Sequence, residues 1–204
     1  MNNSWNEQYS REEYRYGETP NLFFKEFIDA LPAGQILLPG DGEGRNGVYA
    51  ASKGWQVHAF DQSAVAREKA LRLARKKGVH LQFEVLDFKN LDGYYADSSY
   101  DLIVLTFVHL PKQLRKSYFK KLLPLLKEGG YLILEGFTKN QIRHQQVNPS
   151  AGGPSHIDML YAREEIEDTF KSLELISLQE LEVHLSEGVG HQGLSSVLRY
   201  VGRK

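Results

Sequence analysis

The sequence predicts an α/β fold with a doubly wound, mostly parallel sheet of seven strands that ends in an antiparallel hairpin. Five short apolar runs alternate with helical patterns, which is typical of right-handed crossovers between parallel strands. Two longer strand-like runs, 173–185 and 194–202, follow each other with only a Gly-rich segment between them, as in a hairpin. A glycine-rich loop at 40–47 joins the first strand to a helix, an arrangement typical of folds that bind nucleotide-like ligands.

The composition is that of a single domain. A chain of 204 residues with 41% hydrophobic content suits one domain over residues 1–204 and leaves little room for a second. The formal net charge is −1, so nucleic acid is disfavoured as a partner. The absence of cysteine excludes disulfides and fits a cytoplasmic location. Because no apolar run reaches the roughly 18 residues that span a membrane, no membrane partner is expected. Nothing in the sequence predicts the oligomeric state.

Apolar spacing and capping residues place the elements of the first half. Residues 1–18 are aromatic and charged, and they predict an arm that either packs through its aromatic side chains or folds over a ligand site. Thr19 and Pro20 predict the start of the first helix, as its N-cap and first residue. Ser63 is the expected N-cap of a later helix, and Gly54 the stop of the helix before it. The expected strands are 35–39, 56–60 and about 80–86, and the expected helices are 45–53 and 63–78.

The second half repeats the alternation before the hairpin. Pro124 is expected to kink or end the helix that lies between the fourth and fifth strands. The polar segment 138–158 is predicted to be a long functional loop, and 186–193 to be the loop of the hairpin. The remaining expected elements are strands at 100–105 and 131–136 and helices at 111–126 and 162–170.

The glycine loop fits two patterns. Gly42, Gly44 and Gly47 match G-x-G-x-x-G, and Asp61 follows 19 residues after Gly42, as in the dinucleotide fingerprint. Gly40, Gly42 and Gly44 match the shorter G-x-G-x-G of methyltransferases that use S-adenosylmethionine. The glycines alone therefore leave both an NAD(P)-binding protein and a methyltransferase open.

Other stretches favour the methyltransferase pattern, and a dehydrogenase usually needs a substrate domain for which no chain remains. These stretches are Asp87-Phe88, Asp101–Val104 and Leu126–Ile133. A second set consists of Trp5–Ser10, Tyr14–Asn21, Gly42–Asn46, Glu187-Gly188 and His191–Gly193. This second set resembles the motifs of small bacterial methyltransferases related to the tellurite-resistance and thiopurine methyltransferase groups, and the resemblance covers nearly the whole chain.

This resemblance implies a class I S-adenosylmethionine-dependent methyltransferase with a Rossmann-like sheet. The implied acceptor is a small molecule such as a thiol or a metalloid oxyanion, and the segments 1–18, 138–158 and 186–193 are expected to roof its pocket. Two alternatives stay open: a small NAD(P)-binding protein, and a catalytically degenerate protein that binds the cofactor or a partner.

The resemblance also implies roles for the residues that bind the cofactor. Gly40 and Gly42 bring the backbone close to its methionine portion, and Arg45 pairs with its carboxylate. Asp61 holds the ribose hydroxyls, with Gln62 beside the adenine.

The ends of the next two strands complete the implied cofactor site. Asp87 and Phe88 cover the edge and the face of the adenine, and Thr106 lines the site near the methyl group. One position departs from the family, because Leu38 stands where an acidic residue is usual. Either Asp41 compensates for it or the affinity for the cofactor is reduced.

Two histidines are candidates for a general base, which is needed only if the acceptor must lose a proton. His109 follows the fourth strand and is the first candidate, and His191 in the hairpin loop is the second. No metal site is expected, because polar loop composition explains the other histidines better than metal-ligand spacing does.

Overall fold

The computed structural model of the protein describes residues 3–204. Its helices are α1 (Asn3–Tyr9), α2 (Leu22–Asp29), α3 (Arg45–Ser52), α4 (Ala64–Lys77), α5 (Lys112–Lys120), α6 (Gln141–Val147) and α7 (Arg163–Thr169). Its strands are β1 (Gln35–Pro39), β2 (Gln56–Asp61), β3 (Gln82–Val85), β4 (Tyr100–Thr106), β5 (Leu126–Phe137), β6 (Glu174–Glu187) and β7 (His191–Arg203).

The strands of the described chain form one seven-stranded sheet in the order β3-β2-β1-β4-β5-β7-β6. Strands β1 to β5 pair in parallel, whereas β7 lies antiparallel between β5 and β6. The structure thus confirms the predicted α/β fold with a closing hairpin. Because β7 separates β5 from β6, the order differs from the 3-2-1-4-5-6 order of the dinucleotide fold.

Strand β1 shows why the first apolar run is unbroken. Successive side chains of a strand point to opposite faces, and both faces of this strand are covered. Leu37 packs into the cluster on one face, while Ile36 and Leu38 pack into the cluster on the other. Leu38, where the resemblance expects an acid, is therefore a core residue.

Capping residues account for the helix boundaries. Ser63 Oγ accepts from the Ala66 N–H, and α4 closes on the left-handed Gly78, as the sequence predicts. The predicted start of the first helix is wrong by two residues, because Asn21 caps α2 with its side chain and leaves Pro20 outside. Asn is at least as good an N-cap as Thr.

The segments predicted to be loops contain more regular structure than expected. Residues 138–158 include α6 and short 3₁₀ turns at Pro149–Ala151 and Ile157–Met159, the second of which ends one residue beyond the segment. The hairpin loop 186–193 reduces to the turn 188–190, since β6 runs to Glu187 and β7 begins at His191. The helix expected over 111–126 ends at Lys120, and Pro124 lies in a separate 3₁₀ turn.

Candidate active site

The glycine loop between β1 and α3 lies at the carboxyl ends of the parallel strands. Gly40, Gly42 and Gly44 have φ angles of +68°, +56° and +85°, in the left-handed region that favours glycine. A Cβ on Gly44 would also lie 2.5 Å from the Ala70 Cβ, so this glycine is needed for packing against α4 as well. The alternate glycines are therefore required by the backbone, whereas Gly47 lies within α3.

Asp41 caps the helix that follows this loop. The N-cap of α3 is Gly44, which has no side chain to offer, and Asp41 Oδ2 accepts from the Gly47 N–H at 3.1 Å instead. Asp41 Oδ1 is buried without a hydrogen-bond partner in the described chain. Burial raises the pKa of Asp41 to about 8. Any compensation for Leu38 therefore rests on Oδ1 alone.

We expect Asp41→Asn to flatten the dependence of stability on pH. The pKa of Asp41 is about 8 in the folded chain against an ordinary 3.8, so the unfolded state loses its proton first. Stability from the protonated side chain is then lost as the pH rises through about 8. Asp61, with a pKa raised to about 6, acts in the same direction in both proteins, but only below about pH 6. Between about pH 6 and 8, Asp41 should therefore account for the difference in stability between the wild type and the variant.

Thermal unfolding of the wild type and the variant across this interval measures the effect. The wild type should lose more of its melting temperature than Asp41→Asn does. Glu128→Gln, at an exposed position, is the matched control and should follow the wild type. Parallel curves for Asp41→Asn and the wild type would contradict the buried, protonated carboxyl.

Asp61 ends β2 and holds the glycine loop in place. Its Oδ2 accepts from the Gly42 N–H at 3.1 Å, and its Oδ1 accepts from the Ser63 N–H at 2.9 Å. Each carboxylate oxygen can accept a second hydrogen bond, so these amides leave acceptor capacity for a ligand hydroxyl. The carboxylate is only 8% exposed, and burial raises its pKa.

The N-terminal arm lies over this loop. Tyr9 is buried, and its hydroxyl oxygen lies 2.9 Å from the point where a Cβ of Gly42 would stand. In the same helix, Asn6 Oδ1 accepts from the Ser63 hydroxyl at 2.6 Å. The aromatic side chains of the arm thus pack against the glycine loop, and that the arm covers a ligand site stays a prediction.

A buried ion pair fixes the rest of the arm. Glu43 and Lys69 form a salt bridge, and each also binds the arm's backbone. The Arg15 N–H donates to Glu43 Oε2 at 2.7 Å, while Lys69 Nζ donates to the Arg11 and Glu13 carbonyls at 2.8 and 2.7 Å. The glycine loop and α4 therefore hold the arm through charge-assisted hydrogen bonds.

Glu187 is the centre of a second buried ionic cluster. Its Oε2 lies 2.8 Å from an Arg45 guanidinium nitrogen and 2.9 Å from His191 Nδ1, and its Oε1 accepts from the Asn21 amide at 3.0 Å. Burial disfavours the charged carboxylate, but the hydrogen bonds from His191 and Arg45 and the Arg45 charge lower the pKa of Glu187 to about 2. Glu187 is therefore ionised.

This cluster also contains Arg45. The resemblance implies that Arg45 pairs with a cofactor carboxylate, and the structure pairs it with Glu187 and with the Tyr16 carbonyl at 3.3 Å. The guanidinium is thus held against the arm and the hairpin. Its contact with the cofactor stays a prediction.

Sequence reasoning missed Asn21, Glu135 and Glu187. Asn21 donates to both carboxylates, and Arg199 Nε donates to Glu135 Oε1 at 2.6 Å. Glu187 and His191 are partners in the register of β6 and β7. Had the hairpin turn been predicted with three residues, this pairing would have followed from the sequence. No local signal predicts the contacts of Asn21 and Glu135.

His191 is held in one orientation at the edge of an aromatic group. Its ring centroid lies 4.4 Å from that of Phe107, 4.5 Å from that of Tyr16 and 5.0 Å from that of Phe137. Because the ionised Glu187 can only accept a hydrogen bond, His191 Nδ1 must donate it. The proton of the neutral ring is therefore assigned to Nδ1, and Nε2 keeps its lone pair. Burial lowers the pKa of His191, which favours the neutral imidazole.

The backbone after β4 is strained at this group. Phe107 follows Thr106 with a φ of +53°, a left-handed conformation that is unusual for a residue other than glycine. Its N–H donates to the Glu135 carbonyl at 2.7 Å, which helps to hold the conformation. Such strain clusters at functional sites, and here it places an aromatic ring beside His191.

His109 does not have the contacts of a general base. Its Nδ1 lies 2.8 Å from the Met159 carbonyl oxygen, and its Nε2 accepts from the Phe137 N–H at 3.1 Å. Both ring nitrogens are thus used by the backbone, and burial lowers the pKa of His109 to about 3. The structure makes His109 a link between the 3₁₀ turn Ile157–Met159 and β5.

The other predicted contacts lie at the ends of β2, β3 and β4. Gln62 follows the last residue of β2, and Thr106 is the last residue of β4. Both are half-buried. Asp87 is partly exposed and caps a short 3₁₀ turn by accepting from the Lys89 N–H at 3.2 Å. Phe88, in contrast, packs its ring in the core against Phe60 and other aromatic side chains. Its stacking on the adenine stays a prediction.

Several basic residues from α5 to the start of β5 are paired with acids. Arg115 is buried and binds Glu165 at 2.9 Å. Other pairs of this region are Lys116–Asp168, Lys121–Asp92 and Lys127–Asp101. These pairs reduce the local positive charge that would attract nucleic acid.

Within residues 3–204, three or more His, Cys, Asp or Glu side chains do not come together in a way that would hold a metal ion. Nor is any helix there long and apolar enough to cross a membrane.

Comparison with known proteins gives a family match and a set of similar structures. Residues 36–130 match the family model described as a methyltransferase domain. This match contains the glycine loop, Asp61, Asp87 and Thr106. The search of curated proteins found no similar sequence.

Solved structures share the fold at low sequence identity. One, from work on the conversion of a disulfide bond into a thioacetal group during echinomycin biosynthesis, has a TM-score of 0.79 and 17% identity, over 100% of this chain and 90% of that one. TehB from Haemophilus influenzae has a TM-score of 0.71 and 17% identity, over 99% and 66%. A protein from Methanosarcina mazei described among SAM-dependent methyltransferases has a TM-score of 0.67 and 21% identity, over 91% and 98%.

Proposed function

Because the chain carries a methyltransferase domain and shares the fold of S-adenosylmethionine-dependent methyltransferases, we propose that it transfers a methyl group from S-adenosylmethionine to a small-molecule acceptor. The observation that supports this most is the sheet order β3-β2-β1-β4-β5-β7-β6, with Gly40, Gly42 and Asp61 at its carboxyl edge. A dinucleotide-binding order would have kept β6 next to β5.

The residues at this edge fit the cofactor. Gly40 and Gly42 have no side chain that would keep a ligand away from the backbone, and Asp61 retains acceptor capacity for ribose hydroxyls. Gln62 and Asp87 follow the ends of β2 and β3, where they would contact the adenine. When bound, the cofactor supplies a methyl group that its sulfonium already activates.

The protein's own contribution is alignment and exclusion of water. Tyr16, Phe107 and Phe137 pack around His191, and an acceptor would bind beside these rings. His191 Nε2 would take the proton of a protic acceptor, and Glu187 would stabilise the imidazolium that results. Glu187 is then a positioning residue, since it acts through His191.

The acceptor class follows from the same residues. A neutral imidazole beside aromatic rings suits a small protic acceptor such as a thiol. The resemblance implies a metalloid oxyanion as the alternative acceptor. The terminal motifs and the likeness to TehB from Haemophilus influenzae support the tellurite-resistance and thiopurine methyltransferase branch. We propose one methyltransferase domain over residues 1–204, roofed by the arm and by segments 138–158 and 186–193. A cytoplasmic location stays a prediction.

Calorimetric titration with S-adenosylmethionine, S-adenosylhomocysteine and NADH, side by side, tests the proposal. We expect the first two to bind and NADH not to bind. Binding of NADH alone would overturn the proposal in favour of a dinucleotide-binding protein. Silence with all three would instead favour a degenerate relative of the family.

Asp61→Ala is expected to weaken S-adenosylmethionine binding by about 1–3 kcal/mol, the range for hydrogen bonds to a charged group. The variant loses the acceptor for the ribose and also the partner of the Gly42 N–H. Titration of the variant gives the change, and circular dichroism verifies that it is folded. Asp97→Ala, at an exposed position near the opposite ends of the strands, is the matched control. An unchanged dissociation constant in a folded Asp61→Ala would contradict the role of Asp61.

A further inference from the structure

A cavity of about 340 Å³ opens at the amino ends of the parallel strands, on the edge opposite the glycine loop. Gln35 begins β1, Gln82 begins β3 and Tyr100 begins β4, and all three line it. Its volume lies in the range of small-molecule sites, about 300–1,000 Å³. The methyl-transfer site lies at the other ends of the same strands, so this cavity is separate from it.

Aromatic side chains make up much of the wall. The rings of Tyr94 and Tyr95 lie 5.0 Å apart and are inclined by 70°, and those of Tyr95 and Tyr100 lie 5.8 Å apart and are inclined by 83°. His58 Nδ1 lies 2.6 Å from the Tyr100 hydroxyl, which fixes that ring. These edge-to-face contacts hold the rings in a rigid aromatic wall, and the ring faces of such a wall attract a cation.

The charge of the cavity has one source. Glu84 is the only acidic lining residue of the described chain, and neither Lys nor Arg lines the cavity. Burial lowers the pKa of His58 in spite of Glu84, so the imidazole is neutral at pH 7. Burial and then the Glu84 carboxylate raise the pKa of Tyr94, which places Glu84 beside that phenol. The cavity therefore carries one negative charge among aromatic rings.

We propose that this cavity binds a small organic cation, of the quaternary or methylated ammonium class. Glu84 would supply the opposite charge and Tyr94 and Tyr95 the aromatic contacts, with the buried Tyr100 supporting Tyr95 from behind. A neutral or anionic ligand of the same shape would have neither the attraction to the Glu84 carboxylate nor the cation–π contacts with the rings. The proposal does not depend on methyl transfer, because it uses none of the residues at the glycine loop.

Titration of the full chain with choline tests the proposal, with 3,3-dimethylbutan-1-ol as its neutral isostere. We expect choline to bind saturably in the millimolar range and the alcohol to bind at least about tenfold more weakly, since it lacks the charge. The absence of saturable choline binding in this range, or equal affinity for the two probes, would overturn the proposal.

Variants locate the site. Tyr94 is half-exposed, so Tyr94→Ala should fold, and we expect it and Glu84→Gln each to weaken choline binding about five- to thirtyfold. Tyr94→Phe keeps the ring and should retain the affinity. Glu68→Gln on α4 is the matched control, because its exposed carboxylate does not line the cavity. Unchanged affinity in Tyr94→Ala or in Glu84→Gln would overturn the assignment.

Discussion

Glu187→Ala is expected to lower the free energy of unfolding by about 3–5 kcal/mol, the range for breaking a buried ion pair by removing one partner. The substitution leaves the Arg45 guanidinium buried without its carboxylate and removes the acceptor of His191 Nδ1. Asn21, which caps α2, loses a partner as well. Urea unfolding at pH 7, followed by circular dichroism, measures the difference.

Two controls separate this effect from a general loss at the hairpin. Glu180→Ala changes an exposed position of the same strand and should stay within about 0.5 kcal/mol of the wild type. Glu187→Gln keeps the shape and loses only the charge, so it should fall between the two. A stability of Glu187→Ala equal to that of Glu180→Ala would show that Glu187 does not hold the cluster together.

The dependence on pH gives the same prediction an independent test. The pKa of Glu187 is lowered to about 2 in the folded chain, against an ordinary 4.5. Its stabilisation is therefore fully present above about pH 4.5 and is lost as the pH falls through about 2. The difference between the wild type and Glu187→Ala should shrink in acid and stay constant near neutrality.

The features of the fold that the sequence predicts are those whose position follows from local sequence. The glycines of the loop are identified by a backbone conformation that only glycine adopts easily, and Asp61 is located by the end of an apolar strand. These features need no knowledge of distant partners. For the same reason the alternation of strands and helices predicts the sheet.

The contacts that the sequence does not predict are those of side chains whose partners are far away in the sequence. Arg45 and Glu187 are separated by 142 positions, and nothing near Arg45 indicates that its charge is already compensated. Likewise, His109 Nδ1 is hydrogen-bonded to the carbonyl of Met159, which lies 50 residues away. Whether a histidine or an arginine is available for chemistry is a property of the packed chain.

The segment 138–158 shows a different limit. It was predicted to be a loop because it is polar and lacks helical periodicity, yet it contains α6. The helix is anchored through a buried polar residue, Gln141, whose side-chain amide donates to the Ala151 and Gly152 carbonyls and accepts from the Ser196 N–H. Patterns of apolar residues do not detect an element that is held in this way.

His191→Phe is expected to lower the rate of methyl transfer to a thiol such as 2-mercaptoethanol by about 10²–10⁴-fold at neutral pH, the usual contribution of a general base. Phenylalanine keeps a ring against Tyr16, Phe107 and Phe137 but has no lone pair to take the proton. His109→Phe is the comparison, since both nitrogens of His109 already bind the backbone. Its effect should be on stability, which a melting curve measures.

The pH profile decides whether His191 acts as a base or only as a packing residue. Above the pKa of the thiol, which for 2-mercaptoethanol is higher than the roughly 8.5 of a cysteine side chain, the acceptor is already ionised and needs no base. The deficit of His191→Phe should therefore shrink as the pH is raised through that value. A deficit of the same size at every pH would assign His191 to packing and orientation alone. Full activity at neutral pH would show that the acceptor reaches the site already ionised, and Glu187 would then stabilise the fold without a part in catalysis.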